Sequence, residues 1–145
     1  MSIESINLWH SRARPTPDAA QFNVQLGCHL EEIVEMLGTF ELESHLTNSV
    51  LRESVNNLDW LAKRLKANMS TATITNRKEF LDAIADQVVA GVGAAYCAGM
   101  NAPEAVRRVD SSNWSKFVDG QPVFDENGKI AKPATYKPVD LTGLY

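Results

Sequence analysis

The strongest constraint on this chain is an apolar repeat of helical period that recurs in successive stretches, each bounded by a helix-start or helix-stop signal. Leu26, Leu30, Ile33 and Leu37 recur at three and four residues, and Gly38 follows as a stop. A longer stripe runs through Leu46, Val50, Leu51, Val55, Leu58, Leu61, Ala62, Leu65 and Met69. Leu81, Ile84 and Val88 form a third face, preceded by Asn76 with Glu79 three residues on, a spacing that suits a capping box. Asn101-Ala102-Pro103-Glu104 repeats that signal, with proline tolerated in the first turn. The spacing predicts helices over 18–37, 44–69, 77–100 and 102–117. Pro15-Thr16-Pro17 fixes φ twice, so residues 1–17 read as an ordered arm. Past 117 the helical period disappears; Val123 to Ile130, with Asn127-Gly128 between, predicts a short hairpin, and Pro133 and Pro138 keep the rest extended. The expectation is one all-α domain over 1–145, a four-helix antiparallel bundle with a C-terminal hairpin and an extended arm at 118–145.

A chain of 145 residues, 44% of them apolar, can bury about two thirds of its unfolded surface without disulfides or zinc. Its 14 Lys and Arg against 18 Asp and Glu leave a charge of −4, which argues against duplex nucleic acid as a partner, because phosphate binding needs a basic footprint. A small anionic ligand requires only a local gathering of cations or metals. Cys28 and Cys97 form no C-x-x-C pair, so neither a disulfide framework nor a thiolate metal site is expected, and a cytoplasmic setting is the default. The N-terminus lacks a basic leader followed by an apolar run. The closest apolar stretch, Val88 to Met100, falls short of the roughly 20 residues that span a bilayer, so no membrane partner is expected.

At about 100° per residue, Glu32 and Glu35 project nearly opposite the apolar face of the helix at 18–37, with Glu31 beside them. On the helix at 77–100, Glu79, Asp82 and Asp86 gather on one side, and the stripe continues into Ala90 and Gly93. Carboxylates that converge repel one another unless cations or protons intervene, and several hard oxygen donors suit Mg²⁺ or Mn²⁺. Spacing leaves two other readings open: solvated or dipole-capping acids near a helix start, and interhelix salt bridges.

These residues carry a resemblance. His29-Leu30-Glu31-Glu32-Ile33-Val34-Glu35 resembles the E-E-x-x-E element of the MazG-like all-helical nucleotide pyrophosphohydrolases, a group that includes phosphoribosyl-ATP pyrophosphohydrolase and the dimeric dUTPases. Glu79-x-x-Asp82 and Asp82-x-x-x-Asp86 are similar to its second acidic element, although Ala83 stands where many members carry a glutamate three before the last aspartate. Ser112-Asn113-Trp114-Ser115-Lys116 resembles the S-N-x-S-K segment of members related to the phosphoribosyl-ATP branch. The tail, through Lys132-Pro133, Tyr136, Pro138 and Asp140-Leu141, resembles their K-P-x-x-Y-x-P-x-D-L ending, and Trp9-His10 their N-terminal aromatic-histidine pair.

The resemblance implies cleavage of a nucleoside triphosphate between its α and β phosphates to give a monophosphate and pyrophosphate. Mg²⁺, with Mn²⁺ as a substitute, would be held by Glu32, Glu35, Asp82 and Asp86, with Glu79 as a further ligand and Glu31 orienting or deprotonating the water. Lys116, with Asn113 a turn before it, is the first candidate for the phosphates, followed by Lys129 and Lys132 on the arm. His10 beside Trp9 is placed either at the base or as part of an anchor for the N-terminal arm, and Tyr136 at the tail. The small residues at 90–97 favour a homodimer or homotetramer. The alternative is a non-catalytic helical protein-binding or structural oligomer; within the enzyme class, dUTP or phosphoribosyl-ATP hydrolysis competes. The expected setting is the cytoplasm, or the host cytoplasm for a phage source.

Overall fold

The computed structural model describes residues 3–126 and 129–145. Its elements are α1 (Ile3–Ala13), α2 (Ala19–Leu37), α3 (His45–Lys66), α4 (Arg77–Cys97), α5 (Ala102–Trp114), β1 (Phe117–Val118) and β2 (Gln121–Pro122). They form two compact units, Pro17–Thr75 and Met1–Thr16 with Asn76–Tyr145.

The first unit is the antiparallel pair α2 and α3. Asp18 opens α2 with a reciprocal capping box to Gln21, and Ser44 caps α3. Asn68, at φ 52°, ends α3 in a Schellman turn in which Met69 N–H donates to Arg64 O and Asn68 N–H to Leu65 O. The closest approach runs along Asn23, Gly27 and Glu31, one i, i+4 row of α2. A Cβ at Gly27 would lie 2.8 Å from Ala62 O and 3.0 Å from Lys66 N, so only glycine lets the two backbones meet. Asn23, 3% exposed, satisfies its amide within the unit: Nδ2 donates to Asn68 Oδ1, and Oδ1 accepts from Ala72 N–H.

The second unit is built on aromatics. Trp9, Ala13 and Phe117 form its core, with Trp114 and Ile130 packed against them. Trp9 stacks on Phe117 at 5.7 Å, and Trp114 meets Phe117 edge-on at 5.3 Å. The indole N–H of Trp9 donates to Asn113 O, and that of Trp114 to Ser5 Oγ, whose hydroxyl donates on to the buried Asp110 carboxylate. β1 and β2 pair through an Asp119-Gly120 turn with both φ positive, 49° and 74°, as a two-residue hairpin loop demands. The tail is clasped to α5: Ser112 Oγ donates to Lys137 O, Lys137 N–H to Ser115 Oγ, and Arg108 to the carbonyls of Asp140 and Thr142.

The four-helix bundle expected from the sequence is not the fold. The described residues form five helices and a small antiparallel hairpin. Two physical reasons account for the difference. Residues 3–13 are helical, because the Pro15–Pro17 break lies beyond the last turn, and Ile6, Trp9 and Ala13 already carry helical spacing. α4, expected to fill a bundle core, buries none of its residues; Leu81, on its supposed inner face, is 69% exposed. The hairpin expected at 123–130 is present as an antiparallel Phe124–Ile130 bridge, with Asp125 N–H donating to Lys129 O and Ala131 N–H to Val123 O; its Asn127-Gly128 turn lies outside the described residues. By length and composition alone α4 could cross a bilayer, which the dozen-residue run read from sequence did not suggest. Asp82 and Asp86 in its first half would make such burial costly.

Candidate functional site

The residues proposed to hold phosphate and base gather in the aromatic unit. α5 ends at Trp114, and the turn that follows brings Lys116 back toward Asn113, so that Lys116 Nζ donates to Asn113 Oδ1 at 2.8 Å. The same ammonium stands 6.0 Å from the Trp9 ring centre and 5.8 Å from that of Tyr136. Lys132 Nζ lies 5.2 Å from the other contact, Tyr136, and His10 meets Trp9 edge-on at 4.9 Å. Two lysines, an amide, an imidazole and two aromatic rings thus share one contact set. His10 is half-buried, and burial, with the nearby Arg14 guanidinium, lowers its pKa below the ordinary value of 6.5. Its imidazole is therefore neutral near pH 7 and can both donate and accept. Lys129 is not part of this set; it is exposed, and its backbone N–H donates to Asp125 Oδ1 in the bridge beyond β2.

The carboxylates divide between the two units. Glu32 and Glu35 are exposed on α2; Glu35 continues the Asn23, Gly27, Glu31 row by one turn and lies near Lys66, whereas Glu32 is off that row. Glu31 lies in that row and accepts from Lys66 Nζ at 2.6 and 2.7 Å. This hydrogen bond raises the Lys66 pKa above 10.5, against an opposing effect of burial. Glu79, Asp82 and Asp86 are exposed on α4, where Asn76 caps the helix by accepting from Glu79 N–H. Among the described residues no three or more His, Cys, Asp or Glu side chains converge on a point that would hold a metal. α2 carries Glu32 and Glu35 at i, i+3, and α4 carries Asp82 and Asp86 at i, i+4, all exposed.

Lys66 escapes a reading of single helices: it is 35 residues from Glu31, and only the register of α2 on α3 joins them. Arg107 and Arg108 are adjacent charges on α5. In the fold both hydrogen-bond Glu104, whose carboxyl is held down to about 2 by those two guanidiniums. Compared with known protein families, curated proteins and solved structures, the chain matches none.

Proposed function

We propose that the chain is a metal-dependent nucleoside triphosphate pyrophosphohydrolase that cleaves the α–β phosphoanhydride, releasing a nucleoside monophosphate and pyrophosphate. The observation that carries this reading is the clustering of Lys116, Asn113, Lys132 and Tyr136 with Trp9 and His10, a cationic and aromatic site in a chain of net charge −4. Two ammonium groups bind the β and γ phosphates, and Asn113 holds Lys116 in a fixed rotamer so that less freedom is lost on binding. The rim of Tyr136 and the neutral imidazole of His10 offer a stacking face and a donor-acceptor pair to the base. Mg²⁺ would be held on α2 by Glu32 and Glu35 and on α4 by Asp82 and Asp86, with Glu79 as a further ligand there, and when bound would neutralise phosphate charge and acidify a water. Glu31, hydrogen-bonded by Lys66, orients the attacking water. Exposed apolar residues on α4, among them Val89 at 71% and Tyr96 at 80%, support self-association as a dimer or tetramer.

The test is a panel of nucleoside triphosphates, dUTP and phosphoribosyl-ATP with Mg²⁺ or Mn²⁺, scored separately for pyrophosphate and orthophosphate. Pyrophosphate release is expected, with Glu32→Gln and Asp86→Asn each lowering kcat by about 100-fold or more while helicity is kept. A folded protein that releases no pyrophosphate from any of them overturns the reading. The uncovered face of α4 favours a second reading, a non-catalytic helical oligomer, in which both substitutions are neutral or stabilising because they only relieve repulsion.

A further inference from the structure

Beside α5, on the tail side, lies a cleft of about 300 Å³ that the hydrolase reading does not use. Arg107, Arg108 and Ser111 line it from the helix, and Lys137 and Asp140 from the tail. Its walls are pinned to each other. Ser112 Oγ donates to Lys137 O at 2.7 Å, Lys137 N–H donates to Ser115 Oγ at 2.8 Å, and Arg108 donates to Asp140 O at 2.8 Å. The backbone of both walls is therefore fixed before a ligand enters, and the Lys137 side chain is what remains to be ordered.

The donors divide into committed and available ones. Arg108 is spent on Glu104 and on the tail carbonyls. Arg107 holds both oxygens of Glu104, three residues away on an exposed helix face, and an entering phosphate dianion would compete with that carboxylate for the guanidinium. The Lys137 ammonium and the Ser111 hydroxyl have no partner among the described residues. Asp140 opposes an anion from the same wall, although its carboxylate already accepts from Thr142 N–H. Three cations against the carboxylates of Glu104 and Asp140 leave the cleft with local positive charge in a chain of net −4.

We infer that this cleft is a second anion site, in which Arg107, Ser111 and Lys137 take the phosphate group of a small phosphorylated molecule. A guanidinium fork, an ammonium and a hydroxyl match the oxygens of a phosphate dianion, and the volume holds the group together with a few atoms of its ester. The site is independent of the hydrolase reading: it shares no residue with the Lys116 cluster and needs no metal.

The experiment titrates the full-length chain, without added metal and at constant ionic strength, with inorganic phosphate and with glycerol 3-phosphate, following backbone amide shifts. Saturable shifts at Arg107, Ser111 and Lys137 are expected, with Arg107→Gln and Lys137→Gln each weakening binding about tenfold and Lys116→Gln leaving it unchanged. Both arginine and lysine variants alter exposed positions, and helix content by circular dichroism verifies each fold. Tighter binding of glycerol 3-phosphate supports an ester ligand, and equal binding supports the free anion. Absence of saturation at millimolar phosphate, unchanged affinity in both variants, or loss of binding in Lys116→Gln overturns the proposal.

Discussion

The two units of this chain are held together by different means. In the α2–α3 pair, helices meet backbone to backbone over Gly27, and the polar groups trapped there, Asn23 and the Glu31–Lys66 pair, are satisfied locally. In the other unit, two tryptophans and Phe117 make a small aromatic core, and the tail is tied to α5 by hydrogen bonds. The contrast teaches where binding chemistry can be built. Close helix packing leaves little room for a ligand, whereas an aromatic core with a clasped tail fixes lysines on its rim, where their charge stays available.

The largest expected effect falls on the aromatic unit. Trp9→Ala removes the stacking on Phe117 and the bond to Asn113 O, and should destabilise by about 3–5 kcal/mol. Loss of hydrogen-exchange protection in α1 and α5 would register it; full protection would deny Trp9 its place as the hub. The next effect tests the other principle. Gly27→Leu forces a side chain against the carbonyl of Ala62 and the amide of Lys66, neither of which can move without its helix, for a cost of about 3 kcal/mol. Denaturant unfolding followed on α2 and α3 amides reads that cost, and an unchanged midpoint would mean the pair separates freely.

Much of the local structure was legible. Asn76 and Asn101 are helix N-caps in the fold, as their spacing from Glu79 and Glu104 suggests, and α2 starts directly after Asp18. The errors came from tertiary contacts and from competing local signals. The Pro15-Thr16-Pro17 break masked α1 because its influence was spread over the residues before it instead of being confined to its own position. Asp119-Gly120 and Asn127-Gly128 are equivalent turn signals in sequence, and both lie between antiparallel partners, β1 with β2 and Phe124 with Ile130. An apolar stripe of helical period predicts burial within the chain, yet α4 keeps its own exposed. Of the candidate site, His10, Asn113, Lys116, Lys132 and Tyr136 share one cluster around Trp9, whereas Lys129 stands apart, and the Lys66 partner of Glu31 depended on a register no single helix encodes.

The smallest effect is one of pH. Burial and Arg14 lower the His10 pKa in the folded protein, so the unfolded chain binds the proton first. The contribution is present above the ordinary value of 6.5 and is lost as pH falls through the depressed folded value, so stability should decline on acidification. His10→Gln should flatten that decline in denaturant midpoints measured from about pH 7 to 5. An identical slope in the variant would place His10 in solvent and weaken its link to Trp9.

The proposed hydrolase function requires the Lys116 cluster to bind the triphosphate whose α–β bond is broken. Its most direct test is steady-state pyrophosphate release by the wild type and by Lys116→Gln at saturating Mg²⁺, on the best substrate of the nucleotide panel. The expected result is a fall in kcat/KM of about 10- to 100-fold in Lys116→Gln, the loss of one charge-assisted contact to phosphate. An unchanged kcat/KM in a folded Lys116→Gln variant would contradict it.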